Sequence, residues 1–142
     1  MPPLKIAQFC WESLHAMREG GLAPAVTHLA EVLGRTHEVH FFTRGEGPDR
    51  NIEGVFYHFC QPRGENILDY CHDMSMAMLR MFHESDSPPF DILHFHDWHC
   101  IDALEELRDR KTVISYHSTE YGRNGNNFGN WPEFRAISAK EW

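Results

Sequence analysis

The sequence has no apolar run approaching the roughly 20 residues that a helix needs to cross a bilayer, so an integral membrane segment is not expected. The start, Met1-Pro2-Pro3-Leu4-Lys5, lacks a basic region followed by an apolar block and does not read as a signal peptide. A basic stripe is missing too. With 13 Lys and Arg against 21 Asp and Glu, the formal charge is −8, which disfavours nucleic acid and anionic membrane as partners. The cysteines Cys10, Cys60, Cys71 and Cys100 are widely spaced and form no CxxC pair. They fit small buried apolar side chains in a reducing compartment, and the expected location is cytoplasmic. No internal repeat or low-complexity tract occurs, no Ser-His-Asp arrangement is recognisable, and Ser115 and Ser118 lack a nucleophile-elbow context.

What is present is an ordinary globular composition. A chain of 142 residues, 42% apolar and 24% charged, suits one domain with a real core. Apolar runs alternate with helical patterns. Leu4–Cys10, His37–Thr43, Gly54–Cys60, Phe90–His96 and Lys111–His117 read as five strands. Leu22, Ala25, Val26, Leu29, Val32 and Leu33 recur at steps of three and four and predict one helical face. Ile67, Cys71, Met74, Met78 and Phe82 predict a second helix over about 65–84, and Ile101, Leu104 and Leu107 a third. The pattern predicts an α/β fold with a mostly parallel, doubly wound sheet. If the five strands take the order 3-2-1-4-5, ligands bind at the carboxyl ends of strands 1 and 4. Tyr121–Pro132, rich in Gly and Asn, predicts a long mobile loop. The last residues, Ala139-Lys140-Glu141-Trp142, look like a helix still in progress, which suggests a boundary imposed on a longer chain.

Chemistry is then sought after each strand. Gly20-Gly21 opens the first helix after strand 1, where free N–H groups and the helix dipole attract anions, and Arg18 supplies a nearby cation. The pair is neither a GxGxxG fingerprint nor a P-loop, and an ordinary glycine turn reads equally from it. After strand 4 comes His94-Phe95-His96-Asp97-Trp98-His99. Asp97 stands where a helix N-cap belongs. His94 and His96 project to one side of a strand, so a metal-dependent hydrolase using His94, His96 and His99 is a second reading. The dinuclear hydrolase order HxHxDH is not met, because the Asp comes one place early. His117 ends strand 5, where an imidazole can enter the crevice, and Glu120 and Tyr121 follow it. Met74, Met76 and Met78 could suggest Cu(I), but on a helix Met74 and Met78 share a face while Met76 points elsewhere, and soft core packing is the expectation.

Three stretches taken together, Arg18-Glu19-Gly20-Gly21-Leu22, the HFHDWH block and Ile114–Gly122 (ISYHSTEYG), resemble the N-terminal domain of retaining GT-B glycosyltransferases of the glycogen and starch synthase and family 4 group. That family usually shows K-x-G-G-L, and here Arg18 replaces the Lys, which keeps the charge and changes the geometry. The resemblance covers essentially the whole chain. It implies two Rossmann-like domains facing across a cleft, of which residues 1–142 are the acceptor-side half. The C-terminal domain that binds the nucleotide would be absent, and the fragment alone inactive. It implies that Gly20, Gly21 and Arg18 meet the donor's phosphates. His117 and Asp97 would be the catalytic contacts to sugar and hydroxyls, and Glu120, Tyr121 and His99 would bind acceptor. It implies a nucleotide-sugar and a carbohydrate acceptor as substrates, retention of configuration, and no metal or other cofactor. A non-catalytic carbohydrate-binding module is a third reading. A sheet cut from its partner domain also predicts some self-association.

Overall fold

The computed structural model describes residues 2–126 and 131–142. Its strands are Lys5–Phe9 (β1), Glu38–Arg44 (β2), Arg50–Ile52 (β3), Val55–Cys60 (β4), Ile92–His96 (β5) and Thr112–Ser115 (β6). They form one sheet in the order β3-β4-β2-β1-β5-β6, parallel except for the antiparallel β3–β4 pair. The five parallel strands therefore take the expected order. The sixth, β3, is one that the hydrophobic pattern does not show, because Arg50-Asn51-Ile52 is short, polar and mostly exposed. It is held by a two-residue hairpin turn in which Glu53 (φ 52°) and Gly54 (φ 83°) are both left-handed, the geometry that matches strand twist.

Side chains alternate across the sheet. Ala7, Phe9, Phe42, Leu93 and Phe95 lie under α2 (Ile67–Ser85), with Ala103 of α3 (Ile101–Glu106) and Ile137 of α5 (Pro132–Glu141) in the same cluster. The Phe9 ring stacks on Phe95 at 4.3 Å and on Phe42 at 5.0 Å. Each such buried ring contributes about 1.5–3 kcal/mol of transfer free energy. Ile6, Cys10, Val39, Phe41 and Tyr57 lie under α1 (Leu22–Leu33) on the other face. Helices thus cover both faces, as a doubly wound fold requires.

The face of α1 differs from the expected one. Ala23, Val26, Thr27 and Ala30 are buried, whereas Leu29 and Val32 are 37% and 53% exposed. Small side chains let the helix lie close to the sheet. The buried Thr27 hydroxyl is satisfied by accepting the Leu14 N–H at 3.0 Å. The second helix behaves as read: Asn66 caps α2 by accepting the Asp69 N–H at 2.9 Å, and Met74, Met78 and Phe82 are fully buried. All four cysteines are buried free thiols. Among the described residues no helix is long and apolar enough to cross a membrane.

The expected loop over 121–132 is partly helical. Thr119 accepts the Gly122 N–H through its hydroxyl at 3.0 Å and the Arg123 N–H through its carbonyl at 2.8 Å, which starts the short helix α4, Glu120–Arg123. Gly125 and Asn126, both left-handed, end this turn, and Pro132 opens α5. Residues 127–130 of that stretch lie outside the described residues.

Candidate functional site

The carboxyl ends of β1 and β5 border a cavity of about 410 Å³. The segment after β1 contributes Trp11, Glu12, Glu19, Gly20 and Gly21. The β5 corner contributes Asp97, Trp98 and His99, and Ser118 and Arg123 follow β6. A cavity of about 580 Å³ lies at the opposite end of the sheet, around Lys5, Glu38 and Asp91. That is the amino end of the parallel strands, where open α/β sheets do not place their ligands.

The β5 corner is built differently from the N-cap expected of Asp97. Its carboxylate makes no capping bond to the 3-10 turn Trp98–Cys100 that precedes α3. Instead Asp97 Oδ1 accepts the backbone N–H of His117 at 2.8 Å, and the Asp97 N–H donates to the Ser115 carbonyl at 2.9 Å. Asp97 therefore ties the end of β5 to the end of β6. It does so at φ 59°, ψ −174°, a region that is glycine's and costs other residues about 1–3 kcal/mol. The residue is 4% exposed. A strained, buried carboxylate committed to one neighbour is what a fixed site geometry requires.

The three histidines of the block separate. His94 and His96 share one sheet face with ring centroids 4.1 Å apart. His94 Nε2 pairs with Ser115 Oγ at 2.8 Å, and His96 Nδ1 pairs with His117 Nε2 at 3.1 Å. His99, one turn on, stacks instead on Trp11 at 3.9 Å and on Trp98 at 4.7 Å. The three-histidine metal reading needs one point of convergence and does not have it. Among the described residues, no group of three or more His, Cys, Asp or Glu stands where it could hold a metal ion. Burial holds His96 down to about 3, helped by His94 and His117. Burial also holds His99 down to about 3, with Arg123 and Arg44 adding to the effect. Both imidazoles are neutral at pH 7. Burial, with His117 nearby, lowers His94 as well.

The glycine turn is preset from inside. Glu12, 3% exposed, accepts the N–H of Gly20 at 2.8 Å and that of Glu19 through the same oxygen. Gly21 is the residue before α1, with nothing within 4 Å of the place where a Cβ would stand, so its backbone is open on that side. Arg18 is exposed and does not line the cavity. The cation that grips this loop is Arg44, at the end of β2 and 3% exposed. It donates to the Trp11 carbonyl through Nε, to Glu19 at 3.0 Å and to the Tyr70 hydroxyl at 3.1 Å. Its guanidinium lies 4.2 Å from the Trp11 ring centre. His99 and Arg44 are both too close to share one face of that indole, so Trp11 is flanked by the two. Replacing the guanidinium by an apolar chain strands the Trp11 carbonyl and removes the stack. Arg44→Met is expected to cost about 2–4 kcal/mol in urea unfolding, with Arg44→Lys recovering less than half. A variant within about 0.5 kcal/mol of wild type would show that the stack carries no load.

Of the residues marked in the sequence, Gly20, Gly21, Asp97 and His99 line the one cavity, and His117 is bonded to Asp97. Tyr121 lies apart, beside a small cavity of about 120 Å³ with Thr119, Glu141 and Trp142. Glu120 begins α4, and its side chain lies outside the described residues. Trp11, Glu12, Arg44 and Arg123 were not singled out in the sequence. Trp11 and Arg44 had a positional signal, since each stands at the carboxyl end of a strand.

Residues 19–141 match the sequence pattern of Glycosyltransferase Family 4. No curated protein sequence matches the chain. Among solved structures, the catalytic domain of starch synthase IV from Arabidopsis thaliana, bound to ADP and acarbose, superposes with a TM-score of 0.66 at 18% identity, over 82% of this chain and 34% of that one. Sucrose-phosphate synthase from Thermosynechococcus elongatus gives 0.66 at 12% identity, over 92% of this chain and 36% of that one. This chain thus spans about a third of the length of each, and at such identities the likeness is one of fold. The family match runs over most of the chain: the protein belongs to Glycosyltransferase Family 4, and its Rossmann-like fold is that of the N-terminal domain of GT-B glycosyltransferases.

Proposed function

We propose that the full protein transfers a sugar from a nucleotide-sugar donor to a carbohydrate acceptor with retention, in the manner of glycogen synthases. Residues 1–142 would be its acceptor-side half, and the donor's nucleotide would be held by a C-terminal domain. The observation that carries this reading is the meeting of Gly20, Gly21 and Asp97 around one cavity at the strand ends, with His117 tied to Asp97. The backbone at Gly20-Gly21 and the exposed Arg18 would meet the donor's diphosphate, so charge is met by dipoles and a cation and no metal or other cofactor is needed. His117 would contact the transferred sugar. Asp97, with one oxygen held by the His117 N–H, would offer the other to a hydroxyl. His99 of the cavity wall, with Glu120 and Tyr121 of the segment after β6, would meet the acceptor. The leaving diphosphate would assist on the face from which the acceptor attacks, which gives retention. A cytoplasmic site of action goes with this substrate class.

The test is a comparison of the complete reading frame with residues 1–142, using labelled nucleotide-sugars and glucan acceptors. Turnover is expected only from the longer protein, with the product's anomeric configuration, read by proton NMR, unchanged from the donor's. Turnover by residues 1–142 alone would overturn the two-domain reading. Carbohydrate binding without turnover by either would identify a non-catalytic module instead.

A further inference from the structure

We infer that His96 is a positioning residue for His117: it donates its Nδ1–H to His117 Nε2 and fixes that imidazole with its own proton on Nδ1. The two nitrogens are 3.1 Å apart and share one proton, so one ring donates and the other accepts. His96 is 1% exposed, and its other nitrogen, Nε2, is buried with no partner among the described residues. If His117 donated, His96 would have to carry its proton on Nε2, as a buried N–H with nothing to accept it. If His96 donates, only a lone pair is left bare there. Buried donors without acceptors are the rarer and costlier case, so the second arrangement wins.

A His96 protonated on both nitrogens would still donate from Nδ1 but would bury a charge and an Nε2–H without an acceptor. Burial keeps this ring neutral down to about pH 3, and the adjacent His94 and His117 disfavour a further charge. The backbone of His117 is fixed independently, because its N–H is taken by Asp97 Oδ1 at 2.8 Å. Two consecutive residues at the end of β5 thus hold the two ends of one histidine, Asp97 its main chain and His96 its ring. His117 itself is exposed. With Nε2 occupied, the group that its ring offers to a ligand is the Nδ1–H, a donor. Such a ring suits a sugar hydroxyl or ring oxygen as acceptor. That consequence rests on the proposed role of His117, whereas the tautomer does not.

The experiment is a long-range proton–nitrogen correlation spectrum of residues 1–142 carrying 15N-histidine, recorded above the imidazole titration range. His117 is expected to show a protonated Nδ1 and a bare Nε2. In His96→Phe, which keeps a ring and removes the donor, His117 should relax to a mixture of tautomers. In His96→Asn, whose amide N–H can replace the Nδ1–H, the wild-type state should persist. His117 protonated on Nε2 in the wild type, or unchanged in a folded His96→Phe, would overturn the assignment. Should His96→Phe fail to fold, the wild-type spectrum and His96→Asn still decide it. In the full enzyme, His96→Phe should lower kcat/KM roughly ten- to hundredfold, the scale known for partners that orient a metal-bound imidazole, and His96→Asn should restore most of it. A changed tautomer with undiminished turnover would remove the sugar-binding role of His117 and leave the tautomer standing.

Discussion

Asp97→Ala is expected to cost this chain about 2–4 kcal/mol of stability and, if the proposed transfer reaction is right, at least about 100-fold in turnover. The stability loss comes from one hydrogen bond. A charged acceptor for a backbone N–H is worth about 1.5–3 kcal/mol, and the His117 N–H loses it. The strain at φ 59°, ψ −174° remains, because alanine has the same Cβ as aspartate. Asp97→Gly therefore separates the two effects. It relieves about 1–3 kcal/mol of strain and should unfold later than Asp97→Ala in urea, yet it should be as poor in turnover. Asp97→Asn keeps an acceptor oxygen and should retain most of the stability, so its rate reports on the charge. The size of the rate effect follows from what removal of one preorganised polar group at a reacting centre costs elsewhere, about 10²–10³. An alanine variant that unfolds with the wild type would show that this carboxylate does not hold the β6 end.

The second large effect is with acid: between about pH 7 and pH 5 the domain should lose about 4 kcal/mol. His96 and His99 are both held at about 3 in the folded protein, by burial first. In the unfolded chain each titrates near 6.5. Below about 6.5 the unfolded state binds two protons that the folded state refuses. Stability is thus undiminished above about 6.5 and falls as pH drops, by about 1.4 kcal/mol per histidine per unit, until the folded values are reached. Over about 1.5 units, two groups give about 4 kcal/mol, a large share of the 5–15 typical of a domain. Two ion-paired carboxylates stay clear of this window. Asp86, held low by the Arg110 hydrogen bond, and Asp102, held low by Lys140 and His72 against burial, titrate below it. Urea midpoints at the two pH values measure the loss, and His99→Phe, which keeps a ring against Trp11, should lower the slope; His94, also held down by burial, adds to what remains. Equal midpoints would mean that both rings take up their protons in the folded state.

Much of the fold was legible because its signals are local. Five apolar runs fell on five strands, the alternation of strand and helix pointed to a mostly parallel sheet, and the doubly wound order assumed for it is the one found. What escaped depended on contacts across the sheet. Leu29 and Val32 complete a periodic face, but the sheet accepts Ala23 and Ala30, whose smallness no periodicity count weighs. β3 is polar and exists only because a Glu53-Gly54 turn folds it back on β4. Asp97 fits the pattern of a helix cap, and only the nearness of His117, 20 residues later, shows where its oxygen goes. At the site, the glycine pair and the histidine block were visible as strings. The flanking of Trp11 by His99 and Arg44 was not, since the three residues are far apart in the chain.

The thiols carry a practical consequence. Burial pushes Cys10, Cys60 and Cys71 up to about 12 and Cys100 well above its ordinary value. Thiolate is the reactive form, so the native chain is expected to react slowly with maleimides near neutrality. A single cysteine introduced at Ser118, exposed on the cavity rim, would then take a spin label or fluorophore alone. Nature has left this chain with a dark background against which ligand entering the cavity could be watched from one chosen point.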